Sequence, residues 1–579
     1  MKIKKIISLL CVAALSVGML AGCEKGGAGS DGGNGGNGNS GGGGTTTAQE
    51  KPMRIEVFDV AANYQGVQSG WFAKVVKDRF NLELSILAPQ VSGDQLYQTR
   101  TADGNLGDLV LLDAGQFQDC VKAGLLKDVA ADIYSYENLK TYKQQIDTLN
   151  AGLPDNDGKL YGIPTEMVNT SPTSYTQDVI YSSPMLRWDL YKEIGSPDIQ
   201  DLDGLLDALE EMMKVNPTND AGEKTYGMSL WPDWDNNDNM IGIANAVQLT
   251  TWYGEKIKQS VILKPDGSFI PLTDKNGSYY KMMKFLFDAY QRGLVDPDSA
   301  TQKWDDACTK MKDGRVFLMW YSWQVGFWNN AERLKNGSAF IFIPVKDQTY
   351  YQDADSFFGS GRVFAVGAGV DDTKYKKIME FLDWYASPEG VMYQHNGLEG
   401  FNYEVRDGRY YKINDDALMT NMDVPEEFGG GKYADGNNQI NQWIVSANST
   451  NPLTGERYAS TQWATYKEAT EGQMKEEWRQ RFDAQEPSDY MKKNNVLLIS
   501  PNVSVALPTD NNDISDIRNR CKGVVKEFSW KMIYAKDEAE FNSLWDEMTK
   551  MVNDMGFESL MEYDIETYTI ELKAKQAVK

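Results

Sequence analysis

An α/β body organised on a parallel sheet is the fold class this sequence predicts, and three observations predict it. Between Arg54 and Val121 the apolar pattern alternates strand, helix, strand, helix, strand at short intervals. Apolar residues make up 41% of the chain, a globular share, and no segment after the first 22 residues approaches a membrane span in unbroken apolar length. Beyond a low-complexity N-terminal stretch, roughly 530 of the 579 residues remain, enough for two or more lobes at roughly 100–200 residues each.

The chain begins with Lys2, Lys4 and Lys5, an apolar run from Ile6 to Leu20, and then Leu20-Ala21-Gly22-Cys23. The run is short for a bilayer-crossing helix and fits the apolar core of a secretory signal. Small residues ending in Cys make the site similar to the lipobox of bacterial lipoproteins. That resemblance implies a signal peptide over 1–22, cleavage before Cys23, and acyl chains (palmitate among them) on Cys23 that hold the protein on a membrane. The expected location is the extracellular face of the cytoplasmic membrane of a Gram-positive bacterium. Residues 23–49 are rich in Gly, Ser and Asn and have almost nothing to bury, so they read as a disordered tether with a reach of roughly 25–30 Å.

Along the body, Arg54–Val60 reads as a strand. Phe72, Val75, Val76 and Phe80 share one helical face, and Leu82, Leu84 and Ile86 alternate as a second strand. A polar helix spans about 93–102, Asp108–Leu112 is a buried strand, and a helix starts at Gly115. Asp201 or Asp203 caps a helix burying Leu205, Leu206, Leu209, Met212 and Met213, and Ser278–Arg292 is amphipathic with Gly293 at its C-terminal end. Strands follow at Arg315–Tyr321, Ala339–Pro344 and Gly361–Gly367. A helix then carries Tyr375, Ile378, Met379, Leu382 and Tyr385. Asp407-Gly408 is a hairpin signal, 429–495 shows no trustworthy element, and Phe541–Met551 is helical.

The formal net charge of -25 opposes nucleic acid and anionic surfaces, which need clustered Lys and Arg. Cys120, Cys308 and Cys521 lie far apart without metal-ligand spacing and read as buried thiols. One histidine, His395, placed in a loop by the pattern, leaves little for triads or His-rich metal sites. No cofactor or metal motif is legible, and the protein is expected to be a monomer.

Leu160–Pro164, Leu186–Asp189, Asp296-Pro-Asp with Trp304-Asp-Asp, Gly314–Met319, and Leu382–Gly390 followed by Gly397–Gly400 occur in an order that resembles extracellular solute-binding lipoproteins of ABC importers, the oligosaccharide-binding type. The resemblance implies a two-lobe, periplasmic-binding-protein-like (type II) α/β fold with a hinge and an interlobe cleft. Mapped here, lobe 1 would hold 50–164 and 322–366, and lobe 2 would hold 167–321 and 367–579. It further implies a non-enzyme that passes its ligand to ABC permease subunits. Some relatives carry a calcium loop, but in Asn216–Thr225 Lys224 and Thr225 stand where acids would close it, so no ion is expected.

An oligosaccharide offers C–H faces to flat aromatics and hydroxyl edges to polar side chains. Trp231 and Trp234, among Asp235 and its amide neighbours, suit a carbohydrate platform, and Trp252, Trp323 and Phe358 are further aromatic candidates. Polar candidates follow the carboxyl ends of strands: Asn63, Tyr64, Asp113, Thr165 and Glu166. A neutral glycan fits the acidic total best. A peptide or other non-sugar ligand on the same scaffold, or a glycosidase using two of the 83 acids, are the alternatives.

Overall fold

The computed structural model describes residues 51–578 except 94, 154, 155, 157, 237–239 and 415–421. The expected signal peptide, lipidated Cys23 and tether lie outside the described residues. Lys51–Lys579 pack as one unit that contains two separate apolar centres, one of which has a satellite.

The first centre is built on a six-stranded sheet. Its parallel part places Met53–Asp59 between Leu82–Leu87 and Leu109–Asp113. Parallel neighbours need crossover connections, which the helices Gly70–Phe80 and Gln95–Ala102 supply. Arg362–Val366 then joins antiparallel between Leu109–Asp113 and Gly162–Pro164. Both faces are covered, so the strands read as apolar runs: Leu109, Val110, Leu111 and Leu112 are all fully buried. A side chain on Gly70 would place its Cβ 2.3 Å from the Gly436 Cα, so this glycine pair lets the Ala434–Gly436 turn lie on the start of the helix. Tyr433 consequently stacks on Trp71, with centroids 5.3 Å apart.

The second centre surrounds a three-stranded antiparallel sheet in which Ser182–Arg187 lies between Leu318–Tyr321 and Phe340–Phe342. Leu202–Val215 packs here, and its cap is Asp201, whose Oδ1 accepts from the Gly204 N–H at 2.9 Å. Ser278–Gln291 and the C-terminal helices Asn512–Ile533, Glu538–Asp554 and Phe557–Ala577 complete this half.

The chain passes between the two centres three times: between Met167 and Tyr175, between Tyr350 and Val363, and between Trp463 and Met474. The expected division at 322–366 and 367–579 is redrawn by this packing. Phe340–Phe342 pairs with Ser182–Arg187, which keeps 322–350 in the second half. Ile378, Leu382, Ile440 and Trp463 bury against the first sheet, which keeps 367–463 in the first half.

The hairpin expected at Asp407-Gly408 joins Tyr403–Arg406 to Arg409–Lys412, with both turn residues at positive φ. The helix Asp372–Tyr385 ends just before Ser387, which also caps a new one: its Oγ accepts from the Gly390 N–H, and Pro388–Asn396 carries His395. His395 is therefore helical. The stretch expected to lack elements contains Ala464–Ala469, Gln473–Phe482 and Pro487–Lys493. Gln473–Phe482 buries only Met474 and Trp478, one turn apart, too sparse a stripe to register as periodic.

Candidate functional site

The strand ends of the first half form one wall of a cleft. Asp113 ends its strand and caps the helix Ala114–Lys122, and its Oδ1 lies 3.2 Å from Arg362 Nε. Arg362 Nη1 donates to Gln442 Oε1 at 3.1 Å, and Gln442 Nε2 donates to Glu166 Oε1 at 3.1 Å. A relay of charge and amide thus runs from Asp113 to Glu166. Glu166 has a left-handed φ of 56°, a strained choice for a residue with a Cβ. Backbone contacts hold it there: its N–H donates to the Trp443 carbonyl at 2.8 Å, and its own carbonyl accepts from Ser356 Oγ at 2.5 Å. Burial raises the Glu166 carboxyl above its ordinary value, against the opposing pull of Gln442 and the Arg362 charge. Beneath the wall, Asp59 is fully buried. Its Oδ1 accepts from the Ala61 and Ala62 N–H groups, and its Oδ2 has no partner.

The facing edge of the second sheet is aromatic. Tyr181, 49% exposed, meets Tyr321 edge-on at 5.2 Å, and Tyr321 stacks on Trp323 at 5.1 Å. Trp323, 40% exposed, leans on Trp304 at 5.5 Å and Trp234 at 6.1 Å. Behind these, Trp231 touches Trp304 and stacks on Trp320 with the rings 1° from parallel. The array therefore grades from core to surface. The two walls meet where Tyr181 lies across from Glu166. Both residues line a cavity of about 620 Å³, with Ser182, Ser360 and Asn448. A second cavity of about 450 Å³ shares Gln177 and Asn448 with it and contains Trp323 and Lys412.

Of the residues singled out from the sequence, Glu166 and Trp323 line these cavities, and half-buried Trp234 supports Trp323. Trp231 and Trp252 are corrected to core: both are fully buried, and Trp252 Nε1 donates to Ser182 Oγ at 3.1 Å. Asp235 is likewise corrected. Its carboxylate accepts from the Ala244 N–H at 2.9 Å and from Trp530 Nε1 at 2.7 Å, leaving it 7% exposed. Thr165 is fully buried, bonding the Arg362 carbonyl at 3.1 Å. Tyr64 donates to its own turn at Val67 O, Asn63 is exposed, and Phe358 is half-buried edge-on to Phe357. Sequence reasoning missed Tyr181, Arg362 and Gln442. Arg362 stood visibly at a strand start, whereas Gln442 fell in a stretch without pattern.

In the loop Asn216–Thr225, Asn219 Oδ1 accepts from the Ala221 and Glu223 N–H groups, and Asn219 Nδ2 donates to Glu223 Oε2. These side chains are spent on the turn itself.

The profile described as bacterial extracellular solute-binding protein matches residues 90–421. The lipoprotein LipO of Bacillus subtilis is 24% identical over 347 residues, an alignment spanning 56% of this chain and 62% of LipO. Among solved structures, the alginate-binding protein AlgQ2 superposes with a TM-score of 0.58 at 15% identity, covering 90% of this chain and 99% of AlgQ2. The S. pneumoniae ABC-transporter substrate-binding protein FusA, in complex with kestose, gives 0.59 at 13% identity over 90% of this chain and all of FusA. An HMO-binding solute-binding protein from Bifidobacterium longum infantis gives 0.56 at 14% identity, covering 90% and 99%. At such identities the likeness carries the fold, that of two-lobe solute-binding proteins.

Proposed function

The chain belongs to the bacterial extracellular solute-binding proteins, and from that membership we propose that it captures a neutral oligosaccharide in the interlobe cleft and hands it to an ABC permease. One observation carries the reading: exposed Tyr181 shares a cavity with Glu166, whose carboxylate Gln442 holds from behind, and Tyr321 links Tyr181 to exposed Trp323 in the adjoining cavity. Ring faces cover the C–H side of a sugar, and Glu166, Ser360 and Asn448 along the same cavity suit its hydroxyls. A ligand touching both walls favours the closed arrangement by its differential affinity for it. The similar proteins whose descriptions mention kestose, alginate and HMO support a saccharide as the ligand class. Anchoring through Cys23 keeps the receptor beside its permease, in keeping with the lipoprotein relative.

Calorimetric titration against neutral glycans, with peptides and uronates as controls, tests the reading. Trp323→Ala is expected to weaken glycan binding roughly 10- to 100-fold, about 1.4–2.8 kcal/mol. Its melting temperature should scarcely move, because the indole is already 40% exposed. Binding of peptides alone would overturn the sugar assignment, and release of reducing ends over hours would favour a hydrolase.

A further inference from the structure

The first lobe holds a half-open chamber of about 340 Å³ that no part of the second lobe lines. Trp71, Trp443, Trp463, Tyr403 and Tyr433 give it ring faces, and six amides, Gln394 and Asn396 among them, give it polar edges. No described carboxylate lines it, in a chain where 83 of 579 residues are acidic. The lining is therefore neutral hydrogen-bonding groups and aromatic planes, with Lys412 at one side.

Several of these groups are held in place with bonding capacity to spare. Gln394 Nε2 donates to the Tyr385 and Gly390 carbonyls, which fixes the amide and leaves Oε1 buried without a partner. Asn396 Nδ2 donates to the Tyr458 carbonyl, leaving Oδ1 in the same condition, and the Trp443 indole N–H is a third such atom. These three atoms are sealed within the wall, which fixes the side chains that carry them. His395 stacks on Trp443 at 5.3 Å. Its Nε2 faces the Val445 carbonyl at 2.9 Å; a carbonyl only accepts, so Nε2 bears the hydrogen and Nδ1 remains an acceptor. Burial lowers its pKa to about 4, which keeps the ring neutral. Asn402 of the lining packs closely on Gly397, where φ is +75° and a Cβ would lie 2.3 Å from Asn402 Oδ1.

The chamber adjoins the cleft. Lys412 lines both the chamber and the cavity holding Trp323, and Ser460 of the chamber is followed directly by Thr461 and Gln462 of that cavity. We propose that the chamber is a subsite for a single neutral sugar residue, the end or a branch of a glycan whose remainder lies against Trp323. Hydroxyls both donate and accept, which suits a lining of neutral amides, and the aromatic planes suit a ring face. This subsite rests on the cleft reading above.

The chain's single histidine makes the test direct, since its imidazole gives one NMR signal from inside the chamber. The full-length chain is titrated with neutral tri- to pentasaccharides while that signal and the binding heat are followed, and Ser460→Phe, which fills the chamber, is measured alongside. Support consists of a displaced His395 signal together with a roughly tenfold or greater affinity loss in Ser460→Phe. Saccharide binding that leaves the signal unmoved and persists in Ser460→Phe overturns the subsite and leaves the cleft reading intact. If no neutral saccharide binds the wild-type chain, the cleft reading falls and takes the subsite with it.

Discussion

Trp231→Ala is expected to cost about 3–5 kcal/mol of folding stability, as measured by denaturant unfolding, because the ring is fully enclosed and its removal leaves a cavity. The indole has Trp304 at 4.6 Å, Trp234 at 5.2 Å and Trp320 at 5.4 Å, so three neighbours lose a packing face at once. Its Nε1–H has no partner, and deleting that orphan recovers part of the loss, about 1–3 kcal/mol for an unsatisfied buried donor. Trp231→Phe keeps most of the plane while shedding the orphan, and should recover most of the stability. Glycan affinity should fall less in Trp231→Ala than in Trp323→Ala, since Trp231 is fully buried and reaches the cleft through other rings. An unfolding free energy within about 1 kcal/mol of wild type would show that the ring is not packed as described.

Asp59→Asn is expected to abolish a pH slope in stability. Burial pushes the Asp59 carboxyl from its ordinary 3.8 up to about 8, outweighing two backbone N–H bonds and the Arg362 charge. Between those two values the folded state holds a proton that the unfolded state releases. Stability from this group is therefore greatest in acid and falls by roughly 1.4 kcal/mol per pH unit until the folded form itself ionises. Asparagine copies the shape of the neutral acid and carries no charge at any pH. The variant should match wild type near pH 4 and become the more stable protein by several kcal/mol near pH 8. Parallel unfolding profiles for the two proteins would mean that Asp59 ionises freely in the fold.

The parallel opening of the sheet was legible because its apolar residues repeat at helical and strand spacing, from Val57 through Phe72 and Val76 to Leu111. The hairpin at Asp407-Gly408 was legible because its turn demands residues that tolerate positive φ. The tryptophans misled for a physical reason. Asp233, Asp235 and Asn236 beside Trp231 and Trp234 suggest solvent, yet Asp235 and Asn236 are consumed in bonds to Gly242 and Ala244 and to the distant Lys522 and Trp530, and the indoles pack beneath them. Conversely, Tyr181 and Gln442 carry no local sign of importance. They matter because the chain's returns bring strand ends from different lobes together, and no window of adjacent residues records that. The lobe division failed at the same point, since a strand's partner sheet is set by distant pairing, as with Phe340–Phe342 against Ser182–Arg187.

The threefold passage of the backbone between its halves also constrains how the molecule can be made. The first centre awaits Trp463 and the second awaits Phe557 and Leu560. Neither half can finish while the nascent polypeptide is still short, so long-range closure is deferred almost to the end of synthesis.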